Sequence, residues 1–442
     1  MKAVKNIFFL GIGGIGMSAL AKYFLEEGFQ VYGYDAVESE LTNELQGLGA
    51  KIVYEDLLSW QSELNQENTL VVRTPAVPVI TEWYQYFNQN EFRMLKRAEI
   101  LGEISRNSIC VAIAGTHGKT TISSMVANIF NSSDHAFAAF LGGVALNFNS
   151  NYISRKGENA YTIVEADEFD RSFLKLNPQH SLISNIDPDH LDIYKDEADL
   201  KEAFGQFKAL TTDTLVVNES VDLSSITYGK SGKYSYEIFE ERIGLTEITF
   251  TNPKGEKVNI DLPFNGEHNV INALGAYALC SEIGVNPHAI KAGLSSFKGI
   301  ARRFNIHLNE AGKVYIDDYA HHPSEIKACY HALKRLFPMG KIVAAFQPHL
   351  FSRTQDFADD FAKELSQFDE VVLLDIYPAR ELPIEGVTSD WLSSKMTTVV
   401  HRAQLNNCVE MLTNIEAQVY VTIGAGSIGT KVKEITNKLK EI

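Results

Sequence analysis

The stretch from Ser108 to Phe130 restricts this chain more than any other. Ser108-Ile-Cys-Val-Ala-Ile-Ala114 is an apolar run of strand length, Gly115-Thr116-His-Gly118-Lys119-Thr120-Thr121 follows, and an apolar-periodic helix opens through Ile122 to Phe130. Strand, glycine turn with a lysine and hydroxyls, then helix is the layout of a phosphate loop. Its GxxGKTT spacing is two residues shorter than the usual GxxxxGK[ST], yet the chemistry is intact. Backbone amides of Gly115, Thr116, Gly118 and Thr121 can cradle phosphates, Lys119 neutralises the β/γ oxygens, and the Thr120 hydroxyl reaches Mg²⁺. Such a loop works at the carboxyl edge of a parallel sheet, so the class is α/β.

Two later strands supply acids to the same edge. Tyr161-Thr-Ile-Val-Glu165 is followed by Ala166-Asp-Glu-Phe-Asp170, and Leu182-Ile-Ser-Asn-Ile186 by Asp187-Pro-Asp189-His190-Leu-Asp192. Either cluster alone reads as a solvated loop; together, behind a phosphate loop, they read as the metal side of a nucleotide site. Carboxylate oxygens suit Mg²⁺, and a histidine is a less usual ligand for it.

The first hundred residues carry a second phosphate signature. Ile7-Phe-Phe-Leu10 runs into Gly11-Ile-Gly13-Gly14-Ile15-Gly16, then Met17 and Ser18 open a helix reaching Glu27, and the strand Gln30–Tyr34 closes on Asp35. This is a dinucleotide-type βαβ unit, with a pyrophosphate expected on the helix N-terminus. The strand Thr69–Arg73 sends Thr74 and Pro75 to the same edge. NAD(H) and the diphosphate of a UDP-sugar both satisfy this pattern.

Composition narrows the class further. At 442 residues, three domains are expected, over 1–104, 105–297 and 298–442. Lys plus Arg number 40 and Asp plus Glu 56, a net charge of −16, which argues against nucleic acid as a partner. Cys110, Cys280, Cys329 and Cys408 form no CxxC pair, so a zinc ribbon is excluded and a reducing, cytoplasmic setting fits. The glycines at 11–16 make a poor signal-peptide core, and no run of eighteen apolar residues calls for a membrane span.

The last third is dense in acid–base groups. Arg302-Arg303 offers a guanidinium fork suited to ATP phosphate or ribose. The strand Lys313–Ile316 leads into Asp317-Asp318-Tyr319-Ala-His321-His322-Pro323, the strand Lys341–Phe346 into Gln347-Pro-His349-Leu350-Phe-Ser-Arg353-Thr354, and Glu370–Asp375 into Ile-Tyr377-Pro-Ala-Arg380-Glu381. A second GxGxxG, Gly424-Ala-Gly426-Ser-Ile-Gly429, has only thirteen residues after it, too few for another strand and ribose-binding acid. It reads as a turn packing the final helix.

Gly115-Thr-His-Gly-Lys-Thr-Thr, Glu165-Ala-Asp-Glu, Asn185-Ile-Asp-Pro-Asp-His190-Leu-Asp and Gly266-Glu-His268-Asn-Val-Ile-Asn272-Ala occur in the order of the Mur ligases, whose central domain they resemble. The resemblance implies ATP-dependent amide-bond formation in peptidoglycan precursor synthesis. It implies Lys119 and Thr120 on the phosphates and Mg²⁺, Glu165 and His190 as metal ligands, and His268 and Asn272 near adenine and ribose. Lys201 and Lys208 are off register for the carbamylated lysine of some members, so none is carried over.

The C-terminal motifs and the first glycine turn resemble the branch that joins L-alanine to UDP-N-acetylmuramate. That implies a Rossmann-like UDP-binding domain, a central phosphate-loop ATPase domain and a Rossmann-like amino-acid-binding domain. In this reading His321 and Arg353 meet the incoming alanine, and His321 or Asp317 takes the amine proton. Leu350 stands where the family often has arginine, which shifts carboxylate recognition to Arg353, helped by Arg380. The alternatives are a ligase that reattaches recycled tripeptide, an NAD(P)-dependent oxidoreductase, which leaves the phosphate loop idle, and a silent nucleotide-binding regulator, which would have lost Lys119. Monomer and homodimer both remain open.

Overall fold

The computed structural model describes residues 4–187, 194–310, 312–379 and 381–442. Strands β1–β5 (Asn6–Leu10, Gln30–Tyr34, Lys51–Val53, Thr69–Arg73, Met94–Lys96) form a parallel sheet in the order β3-β2-β1-β4-β5. Strands β6–β12 (Ile109–Ala114, Phe137–Ala145, Ser150–Arg155, Tyr161–Ala166, His180–Ile183, Thr214–Asn218, Ile226–Tyr228) form the second, in the order β12-β11-β10-β6-β9-β7-β8. The pair β7–β8 is antiparallel and the other neighbours are parallel. A small sheet of β13–β15 (Ser235–Arg242, Leu245–Thr251, Lys257–Leu262) follows.

The last sheet, β16–β21 (Asn305–Glu310, Lys313–Asp318, Ile342–Phe346, Glu370–Leu374, Val399–Ala403, Val419–Ile423), has the order β16-β17-β21-β18-β19-β20, parallel except for the antiparallel edge strand β16. Central strands such as β1, β18 and β21 are buried along their whole length, as continuous apolar runs require when helices cover both faces.

The chain makes two compact units. One holds residues up to Phe239 with Glu247–Leu262 and Ile271–Lys298; the other holds Glu240–Thr246, Pro263–Val270 and Gly299–Ile442. The first two sheets share the first unit because one core runs through both. Phe9, Leu20 and Phe24 belong to the same buried cluster as Ala112, Phe140 and Val164.

Polar groups fix the same junction. Lys22, 5% exposed on the helix Ile15–Glu26, donates to Glu44 (2.7 Å), Ser150 (3.0 Å) and Asn151 (2.9 Å). Asn151 donates in turn to the Ile15 carbonyl and to Ser18. A buried ammonium is tolerable only with partners of this kind. Among the described residues, no helix is long and apolar enough to cross a membrane.

Candidate active site

The phosphate loop leaves β6 at Gly115 and enters the helix Lys119–Asn131 at Gly118. Gly115 sits at φ +130°, and a Cβ there would lie 2.0 Å from the Ser184 hydroxyl, so no other residue fits this turn. Asn185 braces the loop, its side-chain oxygen accepting from the Thr116 hydroxyl (2.6 Å) and the His117 amide (2.8 Å). Gly118 is left-handed (φ +83°), and the Asn272 side chain approaches the bare face that its missing Cβ leaves.

Lys119 folds back over the loop. It donates to the Gly115 carbonyl (2.6 Å) and to both oxygens of Glu168 (3.0 and 2.8 Å), a carboxylate with no solvent exposure. Burial works against the ammonium, but Glu168, Asp167 and Glu165 outweigh it and its pKa is raised, so Lys119 is charged. Thr120 and Thr121 open the helix beside it.

Glu165 ends β9 facing this turn. Its carboxylate accepts from the Thr120 hydroxyl (3.2 Å), the Ser123 hydroxyl (3.1 Å) and the Gly142 amide (2.6 Å). Burial pushes its carboxyl up, and the three donors and Lys119 only partly offset this. A half-buried carboxylate beside two hydroxyls suits a hard divalent cation. His190 lies outside the described residues, among which no group of three or more His, Cys, Asp or Glu forms a metal cluster.

The glycine turn of the first sheet is built differently at each glycine. Gly11 is left-handed (φ +86°) and packs on the Thr74 methyl, while the loop Thr74–Pro75 lies alongside. Asp35 is committed to the turn itself, accepting from the amides of Gly13 (2.7 Å) and Val37 (3.2 Å). Gly14 caps the helix that Ile15 opens, with no acid in the first turn and no side-chain cap on its first-turn amides. Met17 and Ser18 are buried; they build the helix rather than the mouth of the turn. Gly16 makes room for Arg97, whose guanidinium would clash with any Cβ there and pairs with Asp167 at 3.0 Å.

In the second unit, Asp317 is fully buried and accepts from the Thr422 hydroxyl (2.7 Å) and Arg302 Nε (3.2 Å). Arg302 also donates to the Gly424 (2.5 Å) and Gly426 (3.3 Å) carbonyls, and its guanidinium covers Gly429. The second GxGxxG therefore receives an arginine of its own chain. Arg302 and Arg303 both lie 5.2 Å from the Tyr319 ring, on which they stack. His268 sits over Gly266, and burial, reinforced by Arg303 and Arg335, pushes it down to about 4, so it is a neutral ring.

His321 points Nδ1 at the Tyr319 carbonyl (3.0 Å). A carbonyl only accepts, so in the neutral ring Nδ1 carries the hydrogen and Nε2 the lone pair. Burial lowers its pKa, Arg353 adds to this and Glu325 opposes it, so the ring is neutral near pH 7. The loop carrying His349 and Arg353 is zipped to the next loop, with Tyr377 N–H donating to the Pro348 carbonyl (2.8 Å) and Leu350 N–H to the Tyr377 carbonyl (3.0 Å). Leu350 holds φ +72° there, and Arg380 lies outside the described residues.

Comparison with known proteins decides the family. Residues 6–108 match the model of the Mur ligase family, catalytic domain, residues 113–280 the Mur ligase middle domain, and residues 302–426 the Mur ligase, glutamate ligase domain. A Flavobacterium psychrophilum protein named UDP-N-acetylmuramate–L-alanine ligase is 46% identical over 100% of this chain and 99% of its own. The chain belongs to the Mur ligase family. A Christiangramia forsetii protein of the same name is 43% identical over 99% of this chain and 98% of its own. The Thermotoga maritima UDP-N-acetylmuramate–alanine ligase structure superposes with a TM-score of 0.83 at 27% identity, covering 99% of both chains. A murein peptide ligase from Psychrobacter arcticus shares the fold with a TM-score of 0.68 at 21% identity, over 99% of both chains.

For a Mur ligase, the residues that sequence reasoning passed over are informative. Glu168 stood in a quoted motif without a role, yet it is the counter-ion of Lys119. Arg97 and Gly142 had no motif at all, because each acts on a distant segment through space. Ser352 and Glu381 lay inside quoted motifs, and only the fold shows that they bind each other.

Proposed function

We propose that the chain joins L-alanine to the lactyl carboxylate of UDP-N-acetylmuramate, converting ATP to ADP and phosphate. The observation that carries the reading is full-length identity of 46% to a ligase of that name. The phosphate loop with Lys119 and Glu165 supplies matching chemistry.

A carboxylate does not react with an amine at neutral pH. In the first step a lactyl oxygen attacks the γ-phosphorus of ATP, ADP leaves, and an acyl phosphate forms. In the second the alanine amine attacks the acyl carbon, and phosphate leaves from the tetrahedral intermediate. Lys119 contributes charge at the transferring phosphoryl group once its hold on Glu168 is exchanged for phosphate oxygens; this step needs positioning and electrostatics above all. Thr120 and Glu165 are suited to hold Mg²⁺, which supplies Lewis-acid charge to the phosphates. The first-turn amides of the helix that Ile15 opens are suited to the substrate's diphosphate, and Asn272 and His268 to the nucleoside of ATP.

On the amine side, His321 is the base: neutral, with Nε2 holding the lone pair. Asp317 is already bound to Arg302 and Thr422, so its role is to hold Arg302. Arg353 receives the alanine carboxylate.

The test is ADP release with Mg²⁺ and ATP held constant. Turnover should require both UDP-N-acetylmuramate and L-alanine; turnover with the tripeptide in place of L-alanine would move the protein to the recycling branch. His321→Ala should lower turnover far more than ATP affinity, and unchanged turnover would remove His321 from the mechanism.

A further inference from the structure

His322 caps the helix Pro323–Leu336, and the third residue of that helix, Glu325, turns back on the two histidines before it. One carboxylate oxygen, Oε2, accepts from the His321 amide (2.9 Å) and the His322 amide (3.3 Å) and lies 3.4 Å from His321 Nδ1. The other, Oε1, faces Arg303 Nη1 at 3.4 Å. The bond to the His322 amide belongs to a capping box, a motif that glutamine completes as well as glutamate. The cap therefore fixes the shape of this side chain and says nothing of its charge.

The imidazole gives that charge a use. His321 Nδ1–H is already directed at the Tyr319 carbonyl (3.0 Å), and 3.4 Å is longer than an ordinary hydrogen bond, so Oε2 acts on the ring through charge. Arg353, from the helix after β18, and Arg303, ahead of β16, both oppose a positive ring, as burial does. The rings of Tyr319 (5.4 Å) and His349 (6.1 Å) meet it edge-on, and His322 is turned to the Ser324 hydroxyl (2.8 Å). Against burial and the two cations stands the Glu325 carboxylate.

We propose that Glu325 is the positioning residue of His321: it holds the ring's own backbone amide and supplies the countercharge that the ring needs once Nε2 has taken the amine proton. The inference rests on the proposed ligase reading, in which His321 is the base. The proton leaves the alanine nitrogen for the Nε2 lone pair, the ring becomes an imidazolium protonated at both nitrogens, and the proton then passes to solvent. Glu325 touches neither the substrate nor the moving proton. An opposite charge this near favours the ionised ring, so without it the ring is a weaker base.

The test is Glu325→Gln in the full-length enzyme, which keeps the acceptor of the cap and removes the charge. The first readout is the titration of His321 in the free enzyme, followed by NMR of isotope-labelled histidine and identified by the signal that His321→Ala lacks. Its pKa should fall by about 1 pH unit. The second is the pH profile of kcat/KM for L-alanine with ATP, Mg²⁺ and UDP-N-acetylmuramate saturating. Its acid limb should move down by the same amount and its plateau drop about 3- to 10-fold as basicity is lost, with KM for ATP and for UDP-N-acetylmuramate unchanged. An unmoved His321 titration in E325Q would overturn the proposal, because a glutamate that only caps the helix predicts that result. A shifted titration with an unmoved acid limb would overturn it as well, since the carboxylate would then serve no step of the reaction. Absence of L-alanine-dependent turnover in the unsubstituted enzyme would strike the ligase reading, and the NMR titration would still decide whether carboxylate and ring are coupled.

Discussion

Asp318 offers the most quantitative test of the second unit. Its carboxylate is buried under β17, where it accepts from the Phe304 amide (3.0 Å) and the Ala320 amide (2.7 Å). Burial outweighs Arg303 and the amide donors and lifts its pKa from 3.8 to about 7. Below 3.8 the acid is neutral in both states and costs nothing. Between 3.8 and about 7 the unfolded chain ionises while the folded chain keeps its proton, so stability falls as pH rises, by about 1.4 kcal/mol per pH unit. The full penalty, about 4 kcal/mol, is reached above pH 7.

Asp318→Asn removes this titration and loses one amide bond, a pH-independent cost of about 1 kcal/mol. The stability of the wild type minus that of D318N should therefore decline steeply between pH 4.5 and 7 and then level off. Because two compact units need not unfold together, native-state hydrogen exchange in β17 is the appropriate readout. A difference that stays flat across this range would refute the assignment of a neutral buried acid.

Three further outcomes follow from other parts of the molecule. Lys119→Met should depress ADP release by about 10²–10³-fold or more and lower thermal stability, because it leaves Glu168 buried without its cation; a calorimetric scan checks the second effect. Gly115→Ala should abolish nucleotide binding, read by titration with a fluorescent ATP analogue, since its Cβ would collide with Ser184 at a φ that alanine resists. Turnover limited by the amine step should fall as pH drops below the lowered pKa of His321, where Nε2 takes a proton, and the acid limb should vanish in a pH–rate profile limited by the first step.

Much of this was legible in sequence because parallel strands buried on both faces announce themselves. Thr69–Arg73 and Gln30–Tyr34 were read with the bounds the fold gives them, and the helix after the phosphate loop only began earlier, at Lys119. Leu182–Ile186 was read too far, because β10 runs only from His180 to Ile183 and the chain then turns so that Ser184 and Asn185 can brace the loop. The hairpin β7–β8 escaped notice, since Phe137–Ala145 alternates poorly and carries two glycines, one of which exists to admit Glu165. Pairings between remote segments were invisible for a simpler reason. Nothing in local spacing says that Lys119 will meet Glu168, or that Asp35 will bind its own glycine turn.

The two GxGxxG turns show how one spelling can serve opposite ends. The first leads into a helix whose first turn no side chain caps, whereas the second is plugged by Arg302, held by Asp317 and two glycine carbonyls. A plug is a separable part. Cutting Arg302 back to alanine would leave a socket shaped and charged for a planar cation, and guanidinium dissolved in the buffer is the molecule that fills it. The turn is in effect a receptor whose ligand happens to be tethered to the chain, and chemical complementation could measure the strength of that tether directly.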